Sequence, residues 1–271
     1  MKHTNFHLSI FIAFILAACA GETSTSEAED TATLSVQNME ADYGNPAAPG
    51  FNLADSDARA IELADSVVIA YGGRRAYDQN RYFKWNFFGV RELTWDKQEQ
   101  RVRIDFPSKK AVYLLDIEAM TGRAMIDGTE ITNPDSLAVA LGEAKSIWIN
   151  DSYWLIHQFK LKDSGVTLKY VDDTPVDPEN ARPSYVIDQT FASVGDTPGN
   201  RYRLYIDKES HKINTWQFYR EAGNEEANMQ TPWNGESEFN GIILSSDRGG
   251  RFQLQDISTP KRLKADLFTD F

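Results

Sequence analysis

The chain has 271 residues and carries 28 Lys and Arg against 40 Asp and Glu, a formal charge of −12. Such an acidic balance argues against nucleic acid as a partner, because neutralising phosphates needs a basic face, and equally against electrostatic adsorption to anionic lipid. Aromatic residues at 12% are enough for a large core, and one cysteine leaves no disulfide to staple it.

The first element in chain order is an apolar run from Leu8 to Ala18 behind the charged start Met1-Lys2-His3. It is too short to span a bilayer, which takes about 20 apolar residues. A charged start, a short apolar stretch and small residues at its end describe a secretory signal over residues 1–18. Its last residues, Leu16-Ala17-Ala18-Cys19, resemble the lipobox of bacterial lipoproteins. That resemblance implies cleavage before Cys19 and acylation of its sulfur and amine, giving an anchor held by several acyl chains. Loss of Lys2 would take the charge from −12 to −13. Ala20 stands where Asp would signal retention in the inner membrane, so the expected location is the outer membrane, lipid-anchored. The periplasmic face is the expected one, and export to the surface stays open.

Residues 20–58 hold acids but no Lys or Arg, and Ser, Thr, Ala, Gly and Pro fill most of the rest. The segment 19–54 therefore reads as an acidic flexible tether. Residues 55–271 read as one domain, expected to act as a monomer. Asp55 or Ser56 can cap a helix on which Ala60, Ile61, Ala64, Val67, Val68 and Tyr71 recur at helical spacing, and Gly72-Gly73 stops it. Strands follow: Phe83, Trp85 and Phe87 alternate with polar or flanking residues, as do Val102, Ile104 and Phe106. Thr121-Gly122 and Asp127-Gly128 mark tight turns. A second helix is predicted over 134–148, capped by Asn133 with Pro134 in its first turn. From Tyr153 onward "YWLIHQFKL", "VTLKYV", "SYVIDQTF", "RYRLYID", "KINTWQFY", "GIILSS" and "RFQLQDI" all read as strands. The fold class is α+β: a strongly curved antiparallel sheet of about 10–11 strands, a half-barrel, covered by two or so helices.

The segments "RYFKWNFF", "TWDKQEQRVRIDF", "MIDGTEI", "RYRLYIDKESHKINTWQFY" and "GIILSSDRGGRFQLQDISTPKRL" resemble, in pattern and order, the bacterial outer-membrane lipoprotein-sorting superfamily. The resemblance covers most of residues 56–268. It implies a half-barrel closed by helices, with a cavity for a lipid or a lipoprotein acyl chain. The family's inward-facing arginine matches Arg91, Arg101 or Arg103 equally well. Anchoring through Cys19 is receptor-like rather than carrier-like, so the resemblance points to a distant relative with a cargo of its own.

No nucleophile, zinc, Walker or dinucleotide motif is present, and no enzyme activity is expected. Only His157 and His211 would remain after cleavage, the second in the turn "DKESHK". The acidic segment "DDTPVDPEN" lacks the glycine-centred register of a calcium loop, so neither metal nor cofactor is expected. The informative feature is the aromatic faces. Phe83, Trp85, Phe87, His157, Phe159, Trp216 and Phe218 are candidates for the wall of a hydrophobic-ligand cavity. Their alternative role is plain core, with His157 hydrogen-bonded inside it. Met229 and Trp233, in the polar stretch "NMQTPWNGESEF", are expected in a loop that folds back as a lid or meets a partner. The competing reading is a non-catalytic structural lipoprotein with a solid core.

Replacement of Cys19 by Ser is expected to abolish labelling with radioactive palmitate and to release the protein from membranes. Unchanged labelling would remove the lipoprotein assignment.

Overall fold

The computed structural model describes residues 43–172, 175–192 and 195–271. Cys19, the expected signal peptide and residues 19–42 of the expected tether lie outside the described residues. Alternating burial builds the first sheet. In β1 (Tyr82–Phe87) and β3 (Arg101–Phe106) every second residue is buried, placing Phe83, Trp85, Val102 and Ile104 inside. Between them runs β2 (Arg91–Asp96), and β4 (Ala111–Asp116), β5 (Thr121–Ile126) and β6 (Thr129–Glu130) continue the meander. After a helix come β7 (Val166–Asp172), β8 (Ser184–Phe191), β9 (Arg201–Asp207), β10 (Ile213–Tyr219) and β11 (Met229–Pro232). The chain ends in β12 (Asn234–Phe239), β13 (Ile242–Arg248) and β14 (Phe252–Ser258).

The result is α+β, with large curved antiparallel sheets and few helices, as the strand patterns predict. The strands divide between two sheets: nine in the order β12-β13-β14-β1-β2-β3-β4-β5-β6, and five in the order β11-β10-β9-β8-β7. The described strands number fourteen rather than ten or eleven. Much of the difference lies at residues 229–239, expected as loop, where β11 closes the small sheet and β12 opens the large one on either side of Trp233.

Helix α1 (Ala58–Ala70) buries Ala60, Leu63, Ala64, Val67 and Val68, and stops where the sequence predicts. At Gly72, φ is +102° and a Cβ would stand 2.1 Å from the Gly241 carbonyl oxygen, so only glycine lets the helix end approach the β12–β13 turn this closely. A short helix, α2 (Arg74–Gln79), follows, which the sequence pattern did not reveal. The residue at the N-cap of α1 is Asp57, and neither it nor Ser56 caps the helix through its side chain. Both turn instead to the edge of β7: Ser56 Oγ accepts from Leu168 N (3.0 Å), and the Asp57 carboxylate accepts from Tyr170 N (3.0 Å). Asn52 N and Asp57 N donate to the Val166 and Leu168 carbonyls, each at 2.9 Å. Unpaired edge donors and acceptors template aggregation, and here the segment before α1 satisfies them. Packing onto the domain therefore begins well before residue 55, with Ala48 N donating to Lys162 O (2.9 Å).

The largest departure from expectation concerns "YWLIHQFKL". Helix α3 spans Pro134–Ile156, with Asn133 Oδ1 accepting from Ser136 N (3.0 Å) as its cap, and a 3-10 turn covers His157–Phe159. Residues 153–159 are therefore helical, not a strand. Their period-two pattern arises because this end of the helix is enclosed on all sides, so the polar stripe that marks a surface helix is missing. Ser152, Trp154, Leu155, Ile156, His157 and Gln158 are all buried. Two arginines tie this end down. Arg91 grips the fully buried Asp151 with two hydrogen bonds, Nε–Oδ2 2.7 Å and Nη2–Oδ1 2.6 Å. Arg248, 1% exposed, donates from Nη2 to the carbonyl of Trp154 (2.6 Å) and lies 3.4 Å over the ring of Trp233. Of the three arginines matched by resemblance, Arg91 reaches across the interior to α3. Arg101 pairs with Asp96 and Arg103 with Asp105, and Arg103 Nη1 also donates to the Asp270 carbonyl (2.6 Å) of the C-terminal segment.

His157 is a fully buried core residue, hydrogen-bonded through Nε2 while its Nδ1 has no partner among the described residues. Its Nε2 lies 2.6 Å from Gln189 Oε1, and Gln189 Nε2 donates to the Lys160 carbonyl (3.1 Å). The amide orientation leaves Oε1 as acceptor, so Nε2 carries the proton. Burial lowers the imidazole pKa from its ordinary 6.5 to about 4.

Two stability predictions follow from these contacts. Arg91→Leu strands a buried carboxylate, which burial already pushes up in pKa, and should cost about 3–5 kcal/mol in urea unfolding. The double variant Arg91→Leu/Asp151→Leu should recover most of that; equal losses in both would show that the ion pair is not the cause. For His157 the folded-state pKa lies below the unfolded one, so the unfolded chain takes up a proton that the native state refuses. Stability is therefore full above about pH 6.5 and falls toward pH 4, by at most about 3 kcal/mol. His157→Gln should flatten that acid limb when urea midpoints are compared at about pH 7 and about pH 4.5. An unchanged slope would assign the acid sensitivity to other groups.

Candidate functional site

On β9 the side chains alternate: Arg201 and Arg203 turn outward to share Asp188 (2.7 Å each), while Leu204 is buried inside and Tyr202 shares its face. On β10, Trp216 and Phe218 share one face. The register sets Met229, Phe218 and Tyr202 side by side across three strands. Opposite this row stands α3, presenting Ser146, Ile149, Asn150 and Tyr153 at the i, i+3, i+4, i+7 spacing of a single helix face. Between helix and small sheet lies a cleft of about 520 Å³. That volume falls in the range of small-molecule sites.

Rings dominate the wall. Tyr202 stacks on Trp216 (centroids 5.2 Å apart) and on Tyr153 (5.8 Å), with Phe191 edge-on to it at 5.7 Å. Burial pushes the Tyr202 hydroxyl up to about 12 and that of Tyr153 well above its ordinary value, so both stay protonated. The rim is polar. Lys160 and Asp163 form an ion pair at 2.5 Å, and Asp196, Thr197 and Asn200 line the far side. Among the described residues neither His nor Cys lines the cleft, and no three His, Cys, Asp or Glu side chains gather as a metal site.

Of the residues singled out in the sequence, Trp216, Phe218 and Met229 line the cleft. His157 lies behind its wall, 5.2 Å from the rings of both Tyr153 and Tyr202. Phe83, Trp85 and Phe87 sit under the large sheet, 0%, 0% and 7% exposed, and Phe159 stacks on Tyr77 at 4.4 Å. Trp233 is 2% exposed at the crossing between the sheets, beneath Arg248, and does not line the cleft. Sequence reasoning missed Tyr153 and Trp154, because their segment was read as strand. The helical spacing of Ser146, Ile149, Asn150 and Tyr153 was the available signal. Tyr202 and Phe191 were missed because aromatic residues in strands mark core and cavity alike.

No protein-family model matches the chain, and no curated protein matches it. Solved structures similar to it include two that span most of its length. A DUF1329 family protein from Desulfovibrio piger is 11% identical with a TM-score of 0.42, covering 77% of this chain and 96% of its own. A putative outer membrane lipoprotein-sorting protein domain from Vibrio parahaemolyticus is 8% identical with a TM-score of 0.41, covering 78% of this chain and 96% of its own.

Proposed function

We propose that this protein is a lipid-anchored binding module of the cell envelope that holds a hydrophobic ligand, a lipid or acyl chain, between α3 and the small sheet. The observation that carries this reading is the ring-lined cleft of about 520 Å³. Apolar walls with a few polar groups at the rim are the usual construction of a small-ligand site. The lipobox-like sequence at Cys19 supports an anchor, and no helix of the described residues is long and apolar enough to cross a membrane. Traffic or maintenance of lipids and lipoproteins is the activity such a module would serve.

The scaffold reading has support from the other half of the fold. Phe83, Trp85, Leu93, Val102 and Ile104 are all 0% exposed, so the space beneath this part of the large sheet is filled by protein. Ligand binding belongs to the small-sheet side.

A neutral hydrophobic dye such as N-phenyl-1-naphthylamine is expected to bind saturably, with fluorescence enhancement. Phe218→Ala, at a half-buried wall position, removes about 2 kcal/mol of apolar contact and should weaken the dye about tenfold or more while circular dichroism stays unchanged. Absence of saturable binding by the folded wild-type protein, for the dye and for neutral amphiphiles of several chain lengths, would hand the case to the scaffold.

A further inference from the structure

We infer that the cleft selects an amphiphile with an organic ammonium headgroup over one with a carboxylate or phosphate headgroup. The inference rests on the proposal that the cleft binds an apolar ligand, and adds the chemistry of the other end. Three observations carry it.

The first is the wall. Aromatic faces carry the negative lobe of the ring quadrupole, and a desolvated cation over such a face is stabilised where an anion is repelled. A chamber built only for a chain would be served by Leu, Ile and Val. Here Tyr153, Trp154, Phe191, Tyr202, Trp216 and Phe218 supply the apolar surface.

The second is that the protein already holds an ammonium group in this way at the rim. Lys160 Nζ lies 5.2 Å from the Tyr153 ring centroid and 2.5 Å from Asp163 Oδ2. Ring face and carboxylate together hold an ammonium here, and the ring faces continue along the same wall.

The third is the balance of charge. Among the described residues Lys160 is the one basic residue lining the cleft, and Asp163 neutralises it. Asp196, exposed on the opposite rim, makes no ion pair among the described residues. An incoming carboxylate would meet an uncompensated negative charge and no free donor cation, in a chain of formal charge −12. An incoming ammonium would meet Asp196 at the mouth and ring faces beyond it. The tail then lies along Trp216, Phe218 and Met229.

The test displaces N-phenyl-1-naphthylamine with three amphiphiles of equal chain length, all below their micellar concentrations: dodecyltrimethylammonium, dodecanoate and neutral dodecyl maltoside. The expected result is displacement by dodecyltrimethylammonium at a concentration tenfold or more below that of dodecanoate, an advantage that shrinks as salt is raised. Asp196→Asn, at an exposed position, should cut that advantage several-fold. Asp163→Asn/Asp196→Asn, which frees the Lys160 ammonium, should reverse the order of dodecyltrimethylammonium and dodecanoate. Equal or tighter binding of dodecanoate by wild type would overturn the headgroup inference while leaving the hydrophobic cleft intact. An Asp196→Asn variant that keeps the full preference would overturn the assigned role of that carboxylate. If the dye itself fails to bind, the underlying reading falls instead.

Discussion

The grip of Arg91 on Asp151 decides where α3 comes to rest, and the cleft exists because α3 rests there. The helix enters along β4 and β5 of the large sheet and ends enclosed between both sheets, where its last carbonyls need partners from outside the helix ladder. Asp151 is fully buried, and the bidentate guanidinium, with a further hydrogen bond from Asn150 Nδ2 (2.9 Å), compensates the loss of water. One turn later Arg248 takes the Trp154 carbonyl, placing positive charge at the negative end of the helix dipole. With those two contacts fixed, Tyr153 has to face Tyr202, and the gap between helix and small sheet follows.

The sheets need their own accommodations. A five-stranded sheet ending in β7 would expose an edge to other chains, and residues 48–57 lie along it, donating and accepting where a sixth strand would. That use explains why the side chains of Ser56 and Asp57 leave the helix N-terminus uncapped. Their oxygens satisfy amides of β7, whose exposure as an edge would be the greater liability. On the outer face of the large sheet, Arg103 and Arg123 hold carbonyls of the C-terminal residues in the same way.

Much of this was legible in the sequence, and the illegible parts share a cause. Period-two burial in "RYFKWNFF" and "RVRIDF", the glycine stop after α1 and the Asn133 cap are local signals, and the structure follows them. The end of α3 gives no such signal. A helix buried all round loses its polar stripe, and the apolar alternation in "YWLIHQFKL" then mimics a strand. Arg248 was hidden for a similar reason. In "SSDRGG" it looks like a turn residue, yet it closes β13 and points inward, while Asp247 accepts from Gly250 N (2.6 Å) to make the turn. Wall and core aromatics are also alike in sequence. Trp85 and Trp216 occupy equivalent places in their strand patterns, and only the distance to the facing helix separates filled space from open space.

Between Pro232, which ends β11, and Asn234, which begins β12, there is a single residue, Trp233, itself clamped under Arg248. A joint so short has no slack, and its one side chain is wedged in place. The β11 and β12 margins of the two sheets are therefore held together at this point. Relative motion of the two sheets along this side would have to pivot on Trp233, beside β11 at one end of the small sheet's strand order.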